Sequence, residues 1–484
     1  MPGIRKKVLK GRAKDVKEIF RTKSIKSLID ETQGDKSLKK VLGTLELTML
    51  GIGAIVGTGI FVITGIAAAN YSGPAIILSF VFAGLACSFA ALCYAEFASA
   101  VPVAGSAYTY AYAALGEVWA WIIGWDMVLE YTVATGTVAI GWSGYMNNLL
   151  KSIGINLPAQ LTTSPFSGGI INLPAILIIA LICFLLIRGV SESTKANNVI
   201  VIIKLAVVIL FIVLALFHIK PANWHPFMPY GWGGVFKGAA YIFFAYIGFD
   251  AVSTAAEEVK NPQKQLPRGI ILSLLICTVL YIVVSALLTG ILPYAQYSGT
   301  SAPVAYALEQ IGVNWGSALV SIGAICGITS VLLVMLYGQT RIFFAMSRDG
   351  LLPKWFGSVN KKTKTPVTIT VIVGIVTAAI AGIFPIDIVS ELTNIGTLAA
   401  FIIVSLAVIV LRVRRPDLER PFKCPLVPVT PTISALACFY LILQLGTMTK
   451  IRFVVWFALG LIVYFAYSRQ HSNMHTTDQG LFAK

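Results

Sequence analysis

Apolar residues along this chain fall into long blocks, and charged residues are confined to the gaps between them. Crossing a bilayer takes about 20 apolar residues of helix. Twelve blocks are of that order, at about 45–70, 74–100, 116–148, 173–190, 197–217, 233–257, 268–292, 315–342, 366–384, 387–412, 429–447 and 451–468. The pattern predicts an all-α polytopic membrane protein with twelve spanning helices. The third and eighth blocks are longer than the lipid requires, so tilt or extension past it is expected.

The first block is not a plain spanning helix. Its stretch Leu50-Gly51-Ile52-Gly53-Ala54-Ile55-Val56-Gly57-Thr58-Gly59-Ile60-Phe61 holds four glycines. Each costs roughly 1 kcal/mol against alanine in a helix and is kept where backbone opens or approaches something. The break is expected at Gly57-Thr58-Gly59. Unwound backbone at membrane depth leaves N–H and C=O groups that lipid cannot satisfy but a polar solute can. The spacing Gly53-xxx-Gly57 alone is also that of a close helix-packing face. A dinucleotide-binding loop is excluded, because no βαβ context surrounds the glycines.

The sixth block shows a similar interruption, in Tyr241-Ile242-Phe243-Phe244-Ala245-Tyr246-Ile247-Gly248-Phe249-Asp250-Ala251-Val252-Ser253. It opens residues 233–412 as the glycine-rich block opens 45–217. Five spans separate the two, an odd number, so the halves are expected to be inverted repeats with a site at their interface. Residues 429–468 would add two further helices, with 1–44 and 469–484 as polar ends. Lysine and arginine set the orientation, since 31 of the 37 fall on one side if the N-terminus is inside. Both termini are therefore expected in the cytoplasm.

Composition agrees, with 57% hydrophobic and 12% charged residues and a mean hydropathy of +0.82. The net charge of +16 reads as orientation rather than nucleic-acid binding. The basic segment 1–44 is interleaved with Val, Ile, Leu and Phe and is expected to form an interfacial helix against anionic lipid. It shows no cleavable leader pattern. Seven cysteines without paired spacing and four histidines at segment edges suggest neither disulfides, a metal centre nor a cofactor.

The two breaks together carry the candidate chemistry. If the first span runs outward, the half after Gly59 turns free N–H groups and a positive dipole end to the midplane, where a carboxylate fits. Thr58 adds a hydroxyl. If the sixth runs inward, its first half ends in free carbonyls near Phe244, Ala245 and Ile247, where an ammonium fits. An anion end close to a cation end describes an α-amino acid. Lys204 is the one Lys or Arg deep within a span. It is a candidate proton carrier, since intramembrane ionisable groups are costly, and snorkelling would have to cover about two turns of helix. Asp126 and Glu130 lie one turn apart on the third span, and Asp250 opens the second half of the sixth. Glu130 and Asp250 are candidates, with Lys204, for proton coupling or gating, and structural hydrogen bonding is the plainer alternative for these acids.

Gly57-Thr58-Gly59-Ile60-Phe61, Phe243–Asp250, Glu257-Glu258-Val259-Lys260-Asn261-Pro262 and Ser347-Arg348-Asp349-Gly350-Leu351-Leu352-Pro353 resemble the amino acid–polyamine–organocation superfamily. Within it the chain is similar to bacterial members of the cationic amino acid transporter family, over about residues 40–470. The resemblance implies a LeuT-type fold, a 5+5 inverted repeat plus two additional helices with spans 1 and 6 broken. It implies proton-coupled L-amino acid uptake across the bacterial cell membrane. Ile55, Gly57, Thr58 and Gly59 fall at the carboxylate site it implies, and Phe244, Ala245 and Ile247 at its amine site. Met335 falls at a position lining the side-chain pocket. Lys204 matches a fifth-helix lysine standing where sodium sits in Na⁺-coupled relatives. Twelve spans match the bacterial branch where animal members have fourteen. No acid obviously greets a cationic side chain, so small neutral amino acids fit as well. An exchanger or Na⁺-coupled carrier on the same fold is the first alternative, and a non-transporting receptor or membrane enzyme the second. No small membrane subunit is specified by the sequence.

Overall fold

The computed structural model describes residues 21–23, 40, 42–103, 106–189, 194–360 and 365–473. The interfacial helix expected within 1–44 and most of the tail 469–484 therefore fall outside them. Among the described residues the protein is all-helical, with isolated β-bridges at Leu42–Val259 and Thr162–Asn172 and no strand.

α1 (Thr44–Ile55) is followed by a helical run over 59–72, in which π-turns Gly59–Ile63 and Ala68–Ser72 flank Thr64–Ala67. Then come α2 (Ile76–Ala100), α3 (Ser106–Ala114), α4 (Glu117–Ser152), α5 (Leu173–Ile187) and α6 (Thr194–Leu216). The second half begins with α7 (Gly231–Ile242), continued by 3₁₀ turns Phe243–Tyr246 and Asp250–Glu258. It goes on through α8 (Pro262–Ile291), α9 (Pro303–Gln310), α10 (Asn314–Arg348), α11 (Val367–Ile383) and α12 (Ile386–Arg414). α13 (Val429–Gln444) and α14 (Thr447–Val463) follow, the latter continued by a π-turn Tyr464–Ser468 and a last turn Arg469–His471.

Seven stretches among these residues are long and apolar enough to cross a membrane, and α1, α5, α11 and α13 are shorter apolar helices. This is the architecture of a polytopic membrane protein. Large apolar side chains stand outward along α6 (Ile202, Ile209, Val213) and α14 (Val454, Val455, Ile462), as a lipid-facing surface requires and a water-facing one does not. α3 and α9 were not expected, because short helices between spans carry no block-length signal. Local chemistry starts the helices. The Asn172 side chain accepts from the Ala175 N–H at the head of α5, and Pro262 and Pro303 open α8 and α9, where a missing N–H costs nothing.

Among the extensive helix contacts, α2 lies along α8, α4 along both α10 and α12, α1 along α8, and α5 along α11. The first interruption meets the second at the centre, which is what positions the candidate site.

Candidate site at the two helix breaks

Each break is a short piece of extended backbone between helical segments. In the first, Val56 is extended (φ −76°, ψ 101°), and Thr58 is already helical (φ −53°, ψ −28°). The opening therefore lies at Val56-Gly57, one step earlier than the glycine spacing suggests, because Thr58 and Gly59 start the next run. In the second, Ile247 is extended (φ −63°, ψ 136°) and Gly248 has φ +115°, a conformation open to glycine and costly for other residues.

Glycine also permits the contact between the breaks. A Cβ on Gly59 would lie 2.4 Å from the Ala245 Cα, and one on Gly248 2.9 Å from the carbonyl carbon of Ala54. Backbone touches backbone at both points. Ile55, Gly57, Thr58, Gly59, Phe244, Ala245 and Ile247 are all buried in this junction. The Thr58 Oγ1 is buried and has no hydrogen-bond partner, with its side chain packed against α4 at Gly141. A buried hydroxyl without a partner costs free energy comparable to a lost hydrogen bond.

The carbonyls expected to be free are in part occupied. The Phe244 carbonyl accepts from the Ile247 N–H at 3.2 Å. The Tyr281 hydroxyl on α8 lies 2.9 Å from the Ile55 carbonyl and 2.7 Å from that of Ala245. One O–H proton thus serves carbonyls from both broken helices, and each carbonyl keeps a lone pair. Asn394 on α12 performs a related task, donating through Nδ2 to Ala240 and Tyr241 at 2.9 and 2.8 Å, where the last turn of α7 leaves carbonyls unpaired. Tyr145 on α4 donates to the Phe61 carbonyl at 2.7 Å.

Lys204 is fully buried on α6 and donates to the Gly53 carbonyl of α1 at 2.6 Å. Its stem runs past Gly327 of α10, where a Cβ would sit 2.8 Å from Cγ. The lysine therefore ties α6 to the carbonyl end of α1 with α10 behind it. Glu130 and Asp250 lie elsewhere, in electrostatic contact with each other and with Tyr94 and Tyr131. Met335 is partly buried on α10, and Val331 of the same helix is the residue packed on Gly57, 3.2 Å from the position of a Cβ. Tyr281, Asn394, Tyr145 and Val331 were not singled out from the sequence. For the first three the signal was present, as lone polar groups within apolar blocks whose partners the sequence does not name.

A membrane protein whose interrupted helices meet over a buried lysine is built as a carrier of small solutes. The family profile described as amino acid permease matches residues 42–468. The branched-chain amino acid permease BcaP of Bacillus subtilis is 54% identical over 94% of this chain and 99% of its own length. The methylthioribose transporter of the same organism is 51% identical over 94% and 98%. Human cationic amino acid transporter 4 is 37% identical over 81% of this chain and 62% of its own. The chain belongs to the amino acid permease family, within the amino acid–polyamine–organocation superfamily.

Proposed function

We propose that this protein imports an L-amino acid together with a proton by alternating access across a bacterial cell membrane. The supporting observation is the junction of the two breaks, with the Lys204 ammonium on the Gly53 carbonyl beside it. In this reading the fold is the twelve-span LeuT-type arrangement. Residues 45–217 and 233–412 are its inverted repeats, 429–468 the two further helices, and both termini are cytoplasmic. The packing of α2 on α8, α4 on α10 and α5 on α11 supports a pseudo-twofold relation.

The substrate carboxylate would take the N–H groups at Thr58 and Gly59, with the Thr58 hydroxyl as a further donor. Its ammonium would take carbonyl lone pairs at Phe244, Ala245 and Ile247. Val331, Met335, Phe244 and Ile247 are apolar, so the side chain accepted is small or branched and neutral. Lys204, while protonated, would hold α1 closed on the substrate and release it on losing its proton to the inside. A charged lysine there disfavours a bound sodium ion.

The test is uptake of radiolabelled alanine, leucine and arginine into proteoliposomes under an imposed inward proton gradient, beside Lys204→Ala. Concentrative uptake of alanine or leucine that collapses with the gradient, and falls at least tenfold in the variant, is expected. Uptake only against preloaded amino acid would replace symport by exchange. Full uptake in the variant would return Lys204 to a structural role. A second substrate reading rests on the 51% identity to the methylthioribose transporter. Methylthioribose competing with leucine, while alanine does not, would favour it.

A further inference from the structure

Asp126 lies one turn before Glu130 on α4, and the reading above gives it no task. It is fully buried (0%), and neither carboxyl oxygen has a hydrogen-bond partner. A carboxylate there has no hydrogen-bond donor to offset its loss of water. The packing reserves room for it. Gly396 of α12 faces Asp126, and a Cβ there would lie 2.9 Å from Oδ1. The site therefore accepts a carboxyl group against a bare backbone, where an apolar side chain on each helix would fill the interface without polar cost.

Among the described residues, Glu130 is the titratable group whose charge acts on Asp126, and no basic group does so. Donors on the packed helices are engaged with other acceptors, while the Gln339 Oε1 and the Asn394 Oδ1 are themselves buried without partners. Thr397 of α12 is in hydrogen-bonding reach of Glu130. Gln339 of α10 donates to the Val128 carbonyl, and Tyr108 of α3 donates to Asp349. Asp250, Tyr94 and Tyr131 face Glu130. Side chains four apart on a helix are neighbours, with Cβ atoms about 5–6 Å apart, so the two carboxyls come within reach of each other by rotamer change.

We infer that Asp126 is a further proton-carrying residue of the transport cycle beside Lys204, in series with Glu130 on α4; this rests on the proton-coupled reading. When α4 and α12 part, the Asp126 O–H gives its proton to water and leaves a hydrated carboxylate. Before they close again the Glu130 O–H passes its proton to Asp126, and Glu130 becomes the carboxylate that the next proton neutralises. One proton enters at Glu130 and one leaves at Asp126. The interface shuts only over the neutral acid, so closure is tied to protonation.

The experiment uses the full chain in proteoliposomes, wild type beside Asp126→Asn and Asp126→Leu. Asn keeps the shape without the titration, and Leu removes all polar atoms, so a folding defect in one leaves the other to read. Uptake driven by the proton gradient is expected to fall at least tenfold and its pH dependence to flatten. Counterflow exchange, which needs no net proton movement, should stay within twofold. One component of the infrared carbonyl band of protonated carboxylic acids in the purified wild type should be lost in both variants, while the component from Glu130 remains. Wild-type uptake and pH profile in either variant would overturn the inference, as would an equal fall in uptake and exchange. A wild type without gradient-driven uptake would remove the symport reading, and this inference with it. Gradient-driven wild-type uptake with unaffected variants would remove this inference alone.

Discussion

Two glycines and a tyrosine set the geometry at the residue scale. Gly59 meets the backbone of Ala245, which cannot give way as a flexible side chain can. Gly59→Ala is therefore expected to cut uptake more than tenfold and to destabilise by about 1–3 kcal/mol, as overpacking does. Uptake assays and thermal unfolding in detergent would check both. Gly327 faces the stem of Lys204 instead, and a stem can shift. Gly327→Val should fold, yet move the ammonium off the Gly53 carbonyl and lower proton-driven uptake toward the level of Lys204→Ala. Tyr281→Phe leaves two buried carbonyls without their shared donor. A lost hydrogen bond with stranded acceptors costs about 1–3 kcal/mol, read as a lower unfolding temperature.

At the scale of elements, each broken helix is held by others. α1 is tied to α6 through Lys204 and to α8 through Tyr281. The end of α7 is capped by Asn394 of α12. Asn394→Leu should preserve α12 but free the last turn of α7, lowering substrate affinity several-fold while expression is maintained; a binding titration on purified protein reads this directly. The breaks were legible in the sequence because glycine and polar residues interrupt two of the apolar blocks mid-course. Their partners were not, because which tyrosine or asparagine reaches which carbonyl depends on the packing of distant helices. The same holds for the one-step shift of the first opening to Val56-Gly57, since local glycine content does not say which residue starts the next turn.

Across the whole molecule, buried ionic groups join segments far apart in the chain. Glu96 at the end of α2 pairs with Arg412 of α12 at 2.6 Å and with Arg420 at 3.3 Å, and it accepts from the Cys424 N–H at 2.7 Å. Only 3% of the Glu96 side chain is exposed, against 27% for Arg412. Removing one partner of a buried pair costs about 3–5 kcal/mol, and the exposure of Arg412 puts Arg412→Met near the lower end. A double variant with Glu96→Gln should recover part of that loss in thermal unfolding. A second cluster gathers chain ends. Lys23 pairs with Asp349 at 2.8 Å, Tyr108 donates to the same carboxylate, and Tyr464 and Ser472 donate to Glu117 at the head of α4.

By itself the sequence determined the helical membrane architecture, the blocks that form its helices, the two interruptions and the buried lysine. Each of these is written in local order, through the length of an apolar run, the conformational range of glycine or the cost of charge in lipid. Tertiary structure alone decided that Gly59 would meet Ala245, that Tyr281 would serve both breaks, and that Lys204 would reach Gly53 while Glu130 faces Asp250. It also decided that Asp126 would be sealed against Gly396 with no donor. These are contacts between residues up to some 270 positions apart, made by side chains whose partners only the packing of helices brings within reach.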